Sequence, residues 1–203
     1  QVSVFRGGFT IESAEHIVDL SVLGEDAPWL EEVLQSLADK SMLFVKQGLQ
    51  THNAHRICTF DSIRYYALEK LHETGNVQLA EQRHGLYFLK ALQEQNAQYL
   101  QEDLALALDL ARQDVDNFQT AFERLLQTTP ELAMKMALEL ESLFQYEGWF
   151  DVGLSMSEQL DPFLPHLEKA TQVQAYILRS RYLMELKRLP EARFNLALAL
   201  EVN

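Results

Sequence analysis

The sequence has little of what an exported or membrane-embedded protein needs. Its single cysteine, Cys58, cannot form an internal disulfide, as expected of a protein in a reducing compartment. The most apolar stretch, Leu104 to Ala111, is interrupted by Asp109 and is far shorter than the roughly 18–20 residues that span a bilayer. We therefore expect a cytoplasmic protein. Because the chain begins abruptly at Gln1 in an apolar stretch, we interpret it as a piece of a longer protein.

Positive charge is also scarce. Lys and Arg together number 17 against 30 Asp and Glu, which gives a formal net charge of −13. A field of this sign repels phosphate groups, so poor non-specific affinity for nucleic acid is expected. The 47% apolar content, with 23% charged residues, is typical of a folded chain rather than a disordered one.

Catalytic and ligand-binding motifs are missing as well. The sequence contains neither a Gly-x-x-x-x-Gly-Lys-Ser/Thr phosphate loop nor a Gly-x-Ser-x-Gly elbow, so we predict no enzyme activity and no cofactor. The pair Gly7-Gly8 is interpreted as a helix stop. His52 and His55 are interpreted as a solvated loop rather than half of a zinc site, because zinc needs three or four converging ligands.

The first 75 residues combine helical periodicity with one short β-like interval. Helices are predicted for residues 2–6, from the N-cap Thr10 to about Leu20, and from Pro28 onward. Two strands, Leu43 to Lys46 and Arg56 to Phe60, follow as a hairpin. Asp61 is predicted to cap a further helix whose inward face holds Ile63, Tyr66, Ala67 and Leu71. This order of elements predicts a winged helix-turn-helix over residues 1–75.

Gly75 and Asn76 mark the predicted domain boundary, and residues 76–203 are predicted to be entirely helical. Short breaks between amphipathic segments indicate antiparallel helical hairpins. The predicted helices are 77–100, 104–109, 114–126, 131–146, 152–160, 167–186 and 190–201.

The last of these hairpins resembles a tetratricopeptide unit, which predicts a tetratricopeptide-like array. Arg179 and Lys187 depart from the repeat pattern. The array is expected to continue past Asn203, because the last unit ends without a polar capping helix. The matching positions are Tyr176, Ser180, Leu183, Ala192, Leu196, Ala199 and Leu200.

Three segments, Ser3 to Thr10, Leu37 to Leu43 and Ile63 to Leu71, resemble the winged-helix segment of bacterial STAND-class ATPases. These proteins are regulators related to AfsR and to the large LuxR-type transcription factors. In that family the winged helix follows a nucleotide-binding ATPase module and precedes tetratricopeptide-like helices. The resemblance implies a non-catalytic regulatory segment of a multidomain signal-transduction ATPase, in which the repeats sense an effector or a protein partner.

The resemblance also implies a docking site between domains. Phe60-Asp61-Ser62-Ile63-Arg64 is similar to the segment around a methionine-histidine-aspartate motif whose histidine contacts the phosphates of ADP. Phe60 stands at the histidine position, so the imidazole that contacts phosphate is missing here. Phe60, Asp61 and Arg64 are expected to dock this segment on the ATPase module.

DNA binding is the alternative for the first domain. A winged helix places its second helix in the major groove and needs cations around it. Here that helix carries Glu31, Glu32 and Asp39 and no cation before Lys40, while the hairpin adds only Lys46 and Arg56. Protein docking is therefore the favoured interpretation, and a free-standing tetratricopeptide-like adaptor is a further alternative.

Four residues of the helical region are predicted to contact a partner. Tyr146, Trp149 and Tyr182 are candidates for the concave face of the array, although aromatic residues at helical spacing are more often core. Arg179, with Arg181 and Arg188, is a candidate for receiving an acidic or phosphorylated ligand. The alternative for these arginines is pairing with neighbouring glutamates such as Glu185 and Glu191.

Overall fold

The computed structural model describes residues 1–24, 26–46, 55–99 and 104–202. Within these ranges the fold is mainly helical, with one two-stranded antiparallel sheet, as the sequence predicts. The elements are α1 (Ile11–Ile17), α2 (Leu30–Asp39), β1 (Leu43–Lys46), β2 (Arg56–Thr59), α3 (Asp61–Glu73), α4 (Val77–Tyr99), α5 (Leu104–Gln113), α6 (Val115–Thr128), α7 (Pro130–Glu147), α8 (Phe150–Glu158), α9 (Lys169–Glu185) and α10 (Leu189–Val202).

The chain divides into two compact units. The first unit consists of Gln1–Phe88 and Gln113–Ala121, and the second consists of Leu89–Arg112 and Phe122–Asn203. The first unit thus includes the beginnings of α4 and α6, both of which lie beyond the boundary predicted after residue 75. Compactness does not decide where a functional domain ends, so that boundary stays a prediction.

The first unit opens with a turn and a well-capped helix. Val2–Val4 form a single 3-10 turn rather than the end of an α-helix, and Gly7 and Gly8 follow with positive φ. The Thr10 hydroxyl accepts a hydrogen bond from the Ser13 amide, and the Thr10 amide donates to the Ser13 hydroxyl. This reciprocal cap confirms the predicted start of α1, but the helix ends at Ile17, three residues before the predicted Leu20.

The hairpin forms where the sequence predicts it. Leu43 pairs with Thr59 and Lys46 pairs with Arg56 across the antiparallel strands. On its other edge, β2 exchanges two backbone hydrogen bonds with Phe9, at Phe9 N to Ile57 O (2.9 Å) and Ile57 N to Phe9 O (2.8 Å). The predicted loop containing His52 lies outside the described residues.

The start and the buried face of α3 differ from the sequence prediction. Phe60 is the N-cap and makes no side-chain capping bond, and Asp61 is the first helical residue. Tyr66, predicted to face inward, is exposed beside the Lys70 ammonium group, 5.6 Å from its ring. Arg64 is buried instead. A tyrosine tolerates exposure because its phenol is polar. Helical spacing alone therefore does not predict whether a tyrosine is buried.

An aromatic cluster forms the core of the first unit. The Phe5 and Phe9 rings stack with centroids 4.6 Å apart, and the His84 ring meets Phe88 at 4.6 Å. Phe118, from the start of α6, meets Phe88 edge to face at 5.8 Å. All five side chains are buried, so this cluster joins the opening turn to α4 and α6.

Within the second unit, helices α7 to α10 pack in sequence. α8 packs against α7 and α9, and α9 packs against α10. One face of α7 is apolar, with Met136, Leu140 and Phe144 buried and Leu132 half-buried. The helix predicted from residue 167 is preceded by a 3-10 turn, Leu164–His166, and α9 itself begins at Lys169.

Candidate functional site

An exposed aromatic pair lies where the hairpin meets α3. Phe60, the N-cap of α3, is 50% exposed, and Phe44 of β1 is 38% exposed. Their ring centroids are 4.7 Å apart. Exposed aromatic rings in contact with each other are typical of protein interfaces, where aromatic residues supply much of the binding energy. We call Phe44, Phe60 and the neighbouring Asp61 the hairpin surface.

Charge on the hairpin surface is arranged asymmetrically. The Asp61 side chain is almost fully exposed, and its carboxylate lies 3.6 Å from Nε of the buried Arg64. The Arg64 guanidinium also stacks over the Tyr65 ring at 4.4 Å. The carboxylate is therefore presented to solvent, whereas the cation is covered. Of the three predicted docking residues, Phe60 and Asp61 are accessible, whereas Arg64 is buried and contacts Asp61.

Sequence reasoning missed Phe44 because it lies in a strand, 16 positions from Phe60, and was assigned only to the hairpin. The signal that could have found it is the two-residue alternation of a strand. Leu43 and Phe44 necessarily point to opposite faces of β1. Because Leu43 is buried, Phe44 is left on the exposed side.

A buried polar cluster in the first unit was not predicted at all. Arg56 donates from Nη2 to the carboxylate of Asp114 at 2.6 Å and to the carbonyl of Gly8 at 2.9 Å. Asn117 donates to the same two acceptors at 2.9 Å each. Apart from the Asn117–Asp114 contact, these contacts join residues 48 to 109 positions apart, so local sequence patterns do not predict them. Because Arg56 is buried and paired, it is not an exposed cation of the hairpin.

Tyr146 and Trp149 lie close together in the sequence at the α7–α8 turn. Tyr146, near the end of α7, is 57% exposed. Trp149 is the N-cap of α8 and is half-buried, with its ring centroid 6.3 Å from that of Phe144. Gly148 ends α7 in the left-handed conformation that such a short turn requires. Tyr146 thus remains accessible to a partner, whereas Trp149 is only partly accessible.

The structure corrects the prediction for Tyr182. Its side chain is 1% exposed, so no partner can reach it in this conformation. Burial, followed by the nearby Glu141 carboxylate, raises the pKa of the Tyr182 phenol far above its ordinary value of 10.0. Tyr182 therefore belongs to the core, which is the alternative the sequence left open for these aromatics.

Arg179 is likewise buried rather than presented to a ligand. Its Nη2 donates to the Ser157 carbonyl at 2.6 Å and to the Asp161 carboxylate at 2.5 Å. Both acceptors lie at or just after the end of α8, so the guanidinium joins α9 to that segment. Because Asp161 already neutralises the Arg179 charge, an acidic ligand would gain little electrostatic attraction from this guanidinium.

The two neighbouring arginines are paired on the surface. Arg181 contacts Glu141 at 2.8 Å, and Arg188 donates to both carboxylate oxygens of Glu191. The Arg188 hydrogen bonds lower the pKa of Glu191 below its ordinary value. The predicted partner Glu191 is thus confirmed for Arg188, and Glu141 was not anticipated.

The outer side of α10 is more apolar than the repeat pattern implies. Leu196 and Leu200, assigned to bulky packing positions, are exposed, as are Leu189 and Phe194. Leu189, Leu196 and Leu200 share one side of the helix by their spacing of seven and four residues. Ala192 and Ala199 supply the buried side instead, since small residues let helices pack closely.

Groups able to hold a metal ion are not found among the described residues, where no three or more His, Cys, Asp or Glu side chains come together. None of the helices in the described ranges has the combination of length and apolar character that crossing a bilayer requires.

Comparison with known proteins gives no relative from which to transfer a function. No protein-family model matches the chain, and neither the search of curated proteins nor that of solved structures finds a match. Any functional assignment therefore depends on the residues themselves and on the resemblance drawn from their motifs.

Proposed function

We propose that this chain is a non-catalytic regulatory and protein-interaction segment of a bacterial multidomain signal-transduction ATPase, of the kind that regulates transcription. The first unit acts as a winged helix that docks on the ATPase module and holds it in a resting, ADP-bound state. The tetratricopeptide-like hairpins of the second unit receive an effector or partner. Binding there shifts the protein toward an active form.

The observation that carries this proposal is the hairpin surface. Phe44 and Phe60 expose contacting rings, tilted by 36° to each other, beside the solvent-facing Asp61 carboxylate. Two of the three residues that the family resemblance assigns to docking are therefore accessible. An aromatic anchor with an adjacent charge suits an interface with another folded module, because the rings supply apolar area and the carboxylate supplies orientation.

The first unit presents little exposed positive charge that could contact DNA. Arg56, counted as one of the two cations of the hairpin, is buried and bound to Asp114. On α2, which would enter the major groove, Glu31 and Glu32 are exposed. Phosphate contact requires exposed cations, so these observations favour protein docking over DNA binding.

A partner-binding role for the second unit is supported by its exposed apolar residues. Tyr146 is exposed on α7, and α10 exposes Phe194 and Leu200. Large apolar side chains that remain accessible on a helical array are typical of surfaces that bind other proteins. Arg179 and Tyr182 are left out of this surface because both are buried.

The first test is the sequence upstream of Gln1 in the same reading frame. A phosphate-binding loop is expected roughly 200–300 residues before Gln1, from domain sizes of about 100–150 residues. A reading frame without an ATPase module would replace the proposal with the free-standing adaptor.

The second test uses the full-length protein and the variant Phe60→Ser. Loss of the anchor is expected to speed ADP release about tenfold or more, since interface anchors contribute about 2 kcal/mol or more. Leu79→Ser, at a comparably exposed apolar residue of α4, is the matched control and should leave the release rate unchanged. Equal ADP release in Phe60→Ser and the parent would refute docking through this surface. A salt-sensitive gel shift with mixed duplex DNA would instead establish the DNA-binding alternative.

A further inference from the structure

The charged guanidinium of Arg56 is buried in the first unit. Arg56 begins β2, and its side chain is nine-tenths buried. Arginine stays charged at any pH at which the protein is folded, so burial is tolerated only with close partners. The carboxylate of Asp114, the single residue between α5 and α6, supplies the compensating charge at 2.6 Å.

Asn117 completes the contact from the first turn of α6. Its side chain is fully buried, and its Nδ2 donates to the Gly8 carbonyl and the Asp114 carboxylate. Its Oδ1 accepts a hydrogen bond from the Arg6 amide at 2.7 Å. Arg56, Asp114, Asn117 and the Gly8 carbonyl therefore form one connected group, which we call the polar latch.

The loop at Gly7 and Gly8 packs closely against β2. Gly8 has a φ of +100°, and a Cβ there would lie 2.8 Å from the Cys58 sulfur and 3.1 Å from the Ile57 carbonyl oxygen. The next residue, Phe9, exchanges two backbone hydrogen bonds with Ile57. The loop is thus held directly against β2.

We infer that the polar latch makes the position of the hairpin depend on the first turn of α6. Opening the Arg56–Asp114 pair leaves a buried cation without its counter-charge, and the hairpin separates from the loop to hydrate it. Phe44 moves with β1, so the latch also sets the geometry of the hairpin surface. The coupling is reciprocal, and disturbing Arg56 loosens the start of α6. This inference goes beyond the proposed function and does not depend on it.

Hydrogen exchange in the native state tests the latch at named amides. In Asp114→Asn, the Phe9 and Ile57 amides should exchange roughly tenfold faster or more, because one partner of a buried pair has lost its charge. Leu183 of the second unit should change by less than about threefold. In Arg56→Met, the Phe118 amide, which donates to the Asp114 carbonyl at 2.8 Å, should also exchange faster.

A matched control removes an exposed ion pair from the same unit. Glu73→Gln breaks the Lys70–Glu73 contact of 2.8 Å, whose two side chains are about half exposed, and should leave the Phe9 and Ile57 amides unchanged. Unchanged exchange at Phe9 and Ile57 in Asp114→Asn overturns the latch, and so does an equal acceleration at Leu183. If Asp114→Asn does not fold, Arg56→Lys replaces it as the test, because lysine keeps the charge but cannot reach both acceptors. Faster exchange of the Phe9 and Ile57 amides in Arg56→Lys supports the latch, and unchanged exchange overturns it.

Discussion

The ring of Tyr182 lies directly over the backbone of Gly153. A Cβ added to Gly153 would lie 2.4 Å from Cζ of the tyrosine and within 2.8 Å of two further ring atoms. α8 and α9 therefore approach each other at a point where only glycine leaves room for the ring. Gly153, which follows the α7–α8 turn, thus has a specific packing role.

Replacing Gly153 by alanine should destabilise the second unit by about 1–3 kcal/mol, because a rigid ring cannot move aside as a flexible side chain can. Urea unfolding at neutral pH measures this loss. Ser155→Ala, at an exposed position of the same helix, is the control and should change stability by less than about 0.5 kcal/mol. If the ring is the cause, adding Tyr182→Leu to Gly153→Ala should recover part of the loss. Strict additivity of the two changes would contradict this.

Alkaline pH should weaken the second unit through Tyr182. Burial, with the Glu141 carboxylate, raises the folded-state pKa of this phenol above its ordinary value of 10.0. A raised pKa contributes stability that is complete below the unfolded-state value and is lost as the pH rises above it. From about pH 9 to about pH 11, the free energy of unfolding should therefore fall more steeply in the parent than in Tyr182→Phe.

The control for this pH dependence is Tyr146→Phe, which alters an exposed phenol. Its slope above pH 9 should equal that of the parent, since this change leaves the buried Tyr182 phenol in place. Identical slopes in the parent and Tyr182→Phe would show that the buried phenol is not the group responsible.

The cap of α1 gives a third prediction, in the first unit. Thr10→Ala removes the hydroxyl that accepts the Ser13 amide at 3.1 Å and should cost about 1 kcal/mol of stability. Thr10→Ser keeps the hydroxyl and should cost only a few tenths of that. Thermal or urea unfolding of both variants provides the comparison. An alanine variant as stable as the serine variant would mean that the cap contributes little.

Local pattern alone located most of the elements. The hairpin strands and the helices from Val77 onward lie within a few residues of their predicted bounds. This succeeded because apolar residues at helical spacing, glycines with positive φ and a capping threonine act over a few neighbouring residues. The errors lie at ends, as at α1, which stops at Ile17.

Burial of polar and aromatic side chains was harder to predict. Tyr66 was assigned to the core and is exposed, whereas Tyr182 and Arg179 were assigned to a surface and are buried. Each of these side chains has both an apolar body and a polar end, so helical spacing permits either placement. Contacts with other parts of the chain decide which side chains are buried. Gly153 makes room for Tyr182, and Asp161 neutralises Arg179.

The sequence by itself determined the helical class, the single hairpin, the acidic charge and the lack of familiar catalytic motifs, because each of these follows from composition or from contacts between near neighbours. Only the tertiary structure decided that Phe44 would join Phe60 at the surface and that Arg56 would be buried against Asp114. Those arrangements depend on which distant segments meet, and a pair 58 residues apart leaves no periodic trace in the chain.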